Sequence, residues 1–200
     1  MLISGRGSNM DAILASIKLG EIRNVKPSIV ISNKPESAGL KIALEKYGVP
    51  TKVIHSEGMK GWQYDQNVFT ALNQYGVTPQ SGLVCLAGFM RIMSPEFVRL
   101  YRMRIMNIHP ALLPAFPGLH AQKQALDYGV KVTGCTVHFV DEGMDSGPVI
   151  LQKAVPVIQG DDEESLSARI LEQEHQLYPK AVRMFSEGKI KVEGRRVSVL

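Results

Sequence analysis

The feature that most limits how this chain can fold is the rhythm of its first half, where short apolar runs alternate with stretches of helical periodicity. That rhythm belongs to βαβ units and predicts a parallel sheet with helices packed on it. Strands are expected at Met1 to Ser4, Pro27 to Ser32, Thr51 to Ile54 and Leu83 to Leu86. Helices are expected at Asn9 to Leu19, around Leu40 to Tyr47, and from about Tyr64 to Tyr75. Gly20 and Gly48 stand where helices commonly stop, because glycine takes the left-handed closing conformation without a Cβ clash.

The second half is organised differently. A short helix after Pro95 leads to a strand at Arg104 to Ile108, which runs into His109-Pro110-Ala111-Leu112-Leu113-Pro114-Ala115-Phe116-Pro117-Gly118. Three prolines make that loop stiff, and stiffness at a strand end suggests a positioned site. The strands Thr133 to Val140 and Val149 to Val157 carry less helix between them, so this part of the sheet is expected to be antiparallel. Asp161 with Glu164 reads as an aspartate variant of a capping box before a long helix ending near Glu187, which Pro179 should kink or split. Ile190 to Val199, turning at Glu193-Gly194, reads as a hairpin. No repeat or linker divides the chain, and 200 residues suit one core, so residues 1–200 are expected to form a single α/β domain.

Composition narrows the partners. Basic residues exceed acidic ones by four and are scattered in ones and twos, which leans toward an anionic ligand and gives no reason to expect nucleic acid. The longest apolar run, Leu83 to Met90, is far short of the roughly 18 residues that span a bilayer, so no membrane partner is expected. The N-terminus lacks the pattern of an export signal. Cys85 and Cys135 are the only cysteines, too few for a disulfide framework or a metal site, and a reducing cytoplasm is the natural compartment.

Four loops could carry chemistry. Gly5-Arg6-Gly7-Ser8-Asn9 lies between the first strand and first helix, where glycines and a helix N-terminus favour a phosphate. It lacks the third glycine and the acid of a dinucleotide fingerprint, and a tight turn with Ser8 as N-cap explains it equally well. In Asn107-Ile108-His109 the two polar residues are two apart on a strand, so amide and imidazole share one side and could face one substrate oxygen. Asp141-Glu142-Gly143-Met144-Asp145-Ser146-Gly147 fails as a calcium loop. It is either a solvated acidic loop or one that presents a carboxylate to the imidazole, which would favour a protonated ring able to act as an acid. Leu86 to Met93 leaves the fourth strand at its carboxyl end, where an apolar slot with one arginine would suit a flat heterocycle, although core packing explains most of these side chains too. His55, His120, His138 and His175 show no zinc-ligand spacing, and His138 reads as a structural residue.

Taken in order, Gly5 to Asn9, Ile31-Ser32-Asn33, Leu86 to Met93, Asn107 to Gly118 and Asp141 to Pro148 resemble the phosphoribosylglycinamide formyltransferase family over nearly the whole chain. The resemblance implies a Rossmann-like formyltransferase fold, with a mostly parallel central sheet and helices on both faces. It implies 10-formyltetrahydrofolate as cosubstrate, 5-phosphoribosylglycinamide as acceptor and no metal. Gly7, Ser8 and Asn9 would then hold the acceptor's phosphate, with Glu174 on its amine side. Met90, Arg91, Ile92 and Met93 would line the folate slot, with Asn107, Val140 and Asp141 also on the folate side. Asn107, His109 and Asp145 would be catalytic. A homodimer is a possible assembly that the sequence does not decide.

Two departures from the family pattern stand out. Many members carry an arginine near Gly61 to Asp65, where this chain has only the neighbouring Lys60, and Leu171 replaces a basic residue found in some. The chain also opens almost at its first strand, so a few upstream residues are expected to be missing. Related tRNA formyltransferases would need a further C-terminal domain, and deformylases an N-terminal one; the sequence in hand carries neither.

Overall fold

The computed structural model describes residues 1–200. The elements run β1 Leu2–Ile3, α1 Ser8–Lys18, β2 Val30–Ser32, α2 Ala38–Tyr47, β3 Thr51–Val53, α3 Trp62–Gln74, β4 Val84–Leu86 and α4 Pro95–Leu100. They continue with β5 Ile105–His109, α5 Ala121–Tyr128, β6 Val132–Phe139, β7 Val149–Pro156, α6 Glu163–Ser186, β8 Ile190–Glu193 and β9 Arg196–Val199. Seven strands form one sheet in the order β3-β2-β1-β4-β5-β6-β7, and β8 pairs with β9 separately. The pairs from β3 to β5 are parallel, whereas β5–β6 and β6–β7 are antiparallel. The mostly parallel α/β sheet is therefore as expected, including the change of direction in its second half.

Period-two alternation decides which face each strand residue covers. Leu2, Ile31, Val84, Leu86 and Ile105 point into a cluster with Tyr64, Val68 and Leu72 of α3 and Phe97 of α4. Their neighbours Ile3, Val30, Cys85, Met106 and Ile108 point the other way, against Met10, Ile13 and Leu14 of α1 and Leu166, Ile170 and Tyr178 of α6. Each fully buried Leu, Ile or Phe contributes roughly 1.5–3 kcal/mol, so short strands suffice when both faces are covered. Strand order reverses between β1 and β4, and the crevice at the carboxyl ends beside such a switch point is where open α/β sheets bind ligands.

Three local expectations change. The capping box sits one residue later: Asp162 accepts from the Ser165 backbone and the Ser165 hydroxyl answers to Asp162. Asp161 instead takes a two-pronged bond from Arg169 at 2.7 and 2.8 Å, which holds its carboxyl well below the usual range. Pro179 does not split α6, which runs unbroken through it; the buried face of Tyr178, Pro179, Ala181 and Val182 outweighs the missing backbone donor. Helix α5 was not foreseen, because its Ala-Gln-Lys-Gln-Ala opening buries only Ala121 and Ala125 and leaves no apolar stripe. No helix is long and apolar enough to cross a membrane.

Candidate active site

The loop Gly5 to Asn9 is shaped by a close approach of two backbones. Gly7 is the N-cap of α1 in a left-handed conformation (φ 73°) and makes no side-chain cap, so Ser8 is the first helical residue and not the cap. A Cβ on Gly7 would lie 2.9 Å from the Gly39 Cα, and the Gly39 N–H donates to the Gly5 carbonyl at 3.1 Å. Space and dihedral both demand glycine here. From the first turn of α1, Asn9 Nδ2 donates to Glu174 Oε2 on α6 at 2.7 Å. Burial raises the Glu174 pKa against the opposing pull of that bond. Asn9 Oδ1 is left buried without a partner, an acceptor open to a donor from a ligand. The structure thus brings Gly7, Ser8, Asn9 and Glu174 into one neighbourhood.

The end of β5 carries the second group. Asn107 and His109 lie on the same side of the strand as Ile105, and the loop between β6 and β7 folds back over that face. Asp145, at a left-handed φ of 48°, places Oδ2 3.2 Å from His109 Nδ1 and accepts from the Gly118 N–H at 2.8 Å. On the other edge of the ring, His109 Nε2 donates to the Phe116 carbonyl at 2.8 Å. Both facing oxygens are acceptors, so a ring bearing two N–H groups suits both. In this state the Nε2 proton is spent on the protein's own loop. The acidic loop is therefore the one that presents a carboxylate to the imidazole, and Asn107 stands two residues before His109 on the same side of β5.

His138 is more than a core residue. Antiparallel register puts it opposite Asn107, whose Nδ2 lies 3.2 Å from His138 Nε2. Its Nδ1 donates to the Phe139 carbonyl at 2.9 Å, so Nε2 is free to accept from the amide. Burial lowers the His138 pKa and favours the neutral ring, although the Phe139 carbonyl and Asp145 Oδ1 at 3.7 Å pull the other way. Sequence alone gave no sign of this contact, since antiparallel register is not written in local pattern.

After β4, Met90 and Ile92 are exposed at 67% and 74%. Met93 instead packs into the α3–α4 core, and Val140 leans on it. The Arg91 guanidinium lies 4.1 Å from the Tyr64 ring centroid and donates to the Met59 carbonyl at 3.0 Å. The cation resting on the segment that lacks an arginine is therefore Arg91, while Lys60 is exposed. Asp141 is occupied within its own loop, accepting from the Gly143 N–H and the Ser146 hydroxyl. Two residues unnoticed in the sequence brace this side. Ser4 donates to Asn33 Oδ1 at 2.6 Å and accepts from the Met90 N–H at 2.8 Å, and buried Asp65 accepts from the Ser94 N–H. No group of three or more His, Cys, Asp or Glu side chains is placed to hold a metal ion.

Residues 1–182 match the family model described as formyl transferase. The chain belongs to the formyl transferase family. It is 42% identical over 193 residues to the phosphoribosylglycinamide formyltransferase of Escherichia coli (strain K12), covering 96% of this chain and 88% of that protein. It is 47% identical over 201 residues to the trifunctional purine biosynthetic protein adenosine-3 of Drosophila pseudoobscura pseudoobscura, covering 99% of this chain but only 14% of that far longer protein. Among solved structures of the formyl transferase fold, glycinamide ribonucleotide transformylase 1 from Symbiobacterium toebii superposes with a TM-score of 0.94 at 48% identity, covering all of this chain and 92% of that one.

Proposed function

We propose that this chain, as one formyltransferase domain over residues 1–200, transfers the formyl group of 10-formyltetrahydrofolate to the amine of 5-phosphoribosylglycinamide. The products are formylglycinamide ribonucleotide and tetrahydrofolate, in de novo purine biosynthesis. The observation that carries the reading is the His109–Asp145 contact with Asn107 on the same side of β5, in a fold that also holds a glycine loop backed by Asn9 and Glu174 and exposed Met90 and Ile92 after β4. Relatives named for this reaction support it. Cytoplasmic placement agrees with two buried, unpaired thiols.

The donor supplies the formyl carbon, and the acceptor amine attacks it, so no side chain needs to become covalently attached. Negative charge then grows on the formyl oxygen. Asn107 Nδ2 keeps one hydrogen beyond its bond to His138, and His109 Nε2 can turn its proton from Phe116 to that oxygen. Each such donor is worth roughly 3 to 4 kcal/mol, or about 100- to 1,000-fold in rate. Asp145 holds the ring in place through Nδ1. In this reading it also passes the proton leaving the amine toward the departing folate nitrogen.

The test mixes purified protein with 10-formyltetrahydrofolate, with and without phosphoribosylglycinamide, and follows folate absorbance beside a His109→Ala control. Acceptor-dependent turnover that vanishes in the variant is expected. Turnover without the acceptor would point to a deformylase, and none in either condition would leave a binding module.

A further inference from the structure

The hairpin β8–β9 lies beyond the residues matched by the family model, yet it reaches the catalytic loop. Ile190, Val192 and Val197 alternate inward and pack against the α1–α6 core, fixing the hairpin to the body of the fold. Glu193 pairs with Arg196, so the turn is Gly194-Arg195, one residue later than the pattern suggested. Gly194 has a φ of 60°, as the first central residue of a two-residue turn requires, and this aims Arg195 outward from the tip. Arg195 Nη2 then donates to the Ser146 carbonyl at 2.6 Å.

Ser146 directly follows Asp145, and the peptide between them has little other support. Asp145 holds a left-handed backbone without being glycine, a conformation that is uncommon outside glycine though aspartate tolerates it better than most residues. From within, Asp141 holds the Ser146 hydroxyl at 2.6 Å, and Gly147 is pressed on the Phe139 carbonyl, where a Cβ would overlap it. From outside, the loop is met by the Gly118 N–H, His109 and His138 on the Asp145 carboxylate, by Arg99 on Glu142 at 3.3 Å, and by Arg195 on the Ser146 carbonyl. Only the last grips the backbone next to Asp145.

We infer that Arg195 is a positioning residue: through the Ser146 carbonyl, the hairpin sets where the Asp145 carboxylate stands against His109. The inference rests on the catalytic role given to Asp145 above. A charge-assisted bond to a carbonyl is directional as well as attractive, and a carboxylate displaced by about 1 Å can cost on the order of 100-fold in rate. Because Arg195 is solvent-exposed, the protein body does not depend on it for folding.

The experiment compares Arg195→Ala and Arg195→Lys with the parent by steady-state kinetics, thermal unfolding and ¹H–¹⁵N NMR of the His109 ring, which reports the Asp145 contact without turnover. For Arg195→Ala, kcat is expected to fall about five- to twenty-fold while KM for both substrates and the unfolding temperature stay put, and the His109 ring signals shift. Arg195→Lys, which can still donate to the carbonyl, recovers most of the rate. Unchanged kcat with unmoved ring signals, or a loss of rate matched by a loss of thermal stability that lysine does not repair, would overturn the assignment. If the parent itself shows no formyl transfer, the proposed reaction fails, and the ring signals alone decide whether Arg195 holds the loop.

Discussion

The Asn107 amide and the His138 ring meet across the β5–β6 pair, Nδ2 to Nε2 at 3.2 Å, and the ring's other nitrogen is tied to the Phe139 carbonyl. That chain of contacts settles which end of the amide points at His138 and leaves a hydrogen for substrate. His138→Ala should therefore lower kcat by about tenfold, the worth of roughly one hydrogen bond, with little change in KM. Steady-state kinetics checks this; a change confined to KM would contradict it.

The same ring predicts a pH effect on stability. Burial holds the His138 pKa below its ordinary value, so the unfolded chain binds a proton more readily than the folded one. The contribution is complete above about pH 6.5 and is lost as pH falls through the folded value. Unfolding temperature measured from pH 7.5 to 5 should drop more steeply in the parent than in His138→Gln. Parallel curves would rule out the assignment.

Glu174 carries the opposite sign. Burial raises its pKa, so its folded-state advantage is full at acid pH, below the unfolded carboxylate value, and disappears as pH rises through the folded one. At pH 8 a buried carboxylate is a burden in the absence of ligand. Glu174→Gln keeps an oxygen for Asn9 Nδ2 and should raise the unfolding temperature at pH 8 by about 2–4 °C, with little gain at pH 4. It should also weaken binding of the phosphorylated acceptor. Unfolding scans at the two pH values, paired with acceptor titration, test both halves.

Asp145→Asn keeps an oxygen for the Gly118 N–H and removes the charge beside His109. A fall in kcat of about 100-fold or more is expected, with the unfolding temperature changed by no more than about 2 °C. A variant that keeps parental turnover would remove Asp145 from the reaction.

Ser4 joins two loops by donating to Asn33 and accepting from the Met90 N–H. Ser4→Ala leaves both without that partner at a buried position, at a cost of about 1–3 kcal/mol. The folate-donor KM is expected to rise more than that of the acceptor, because Met90 lies on the donor side. Equal changes in the two constants would argue against this.

Much of the fold was legible because parallel strands covered on both faces appear as plain apolar runs, as Val84 to Leu86 shows. The shared side of Asn107 and His109 was legible because two-residue spacing on a strand has a geometric meaning, and the His109–Asp145 contact was one of two readings open for the acidic loop. The rest depended on long-range pairing. His138 reaches Asn107 only through β5–β6 register, and Arg91 meets Tyr64 only once α3 packs beside the β4 loop. The off-by-one cap arose because Asp161 and Asp162 are adjacent and chemically alike, and Arg169 decides between them. The Phe116 carbonyl on His109 has no side-chain signature at all.

Tyr178 shows how far the Asn9–Glu174 contact is governed from below the sheet. Its hydroxyl lies 3.1 Å from the Leu86 carbonyl and 2.8 Å from that of Met106, so it straddles β4 and β5 from α6. Glu174 is four residues earlier on the same helical face. The long helix is thereby keyed against rotation about its own axis, and the direction of the Glu174 carboxylate is set like the hand of a clock by a bond one turn away. Loosening that key would turn the Glu174 carboxylate away from Asn9 without any change at either residue.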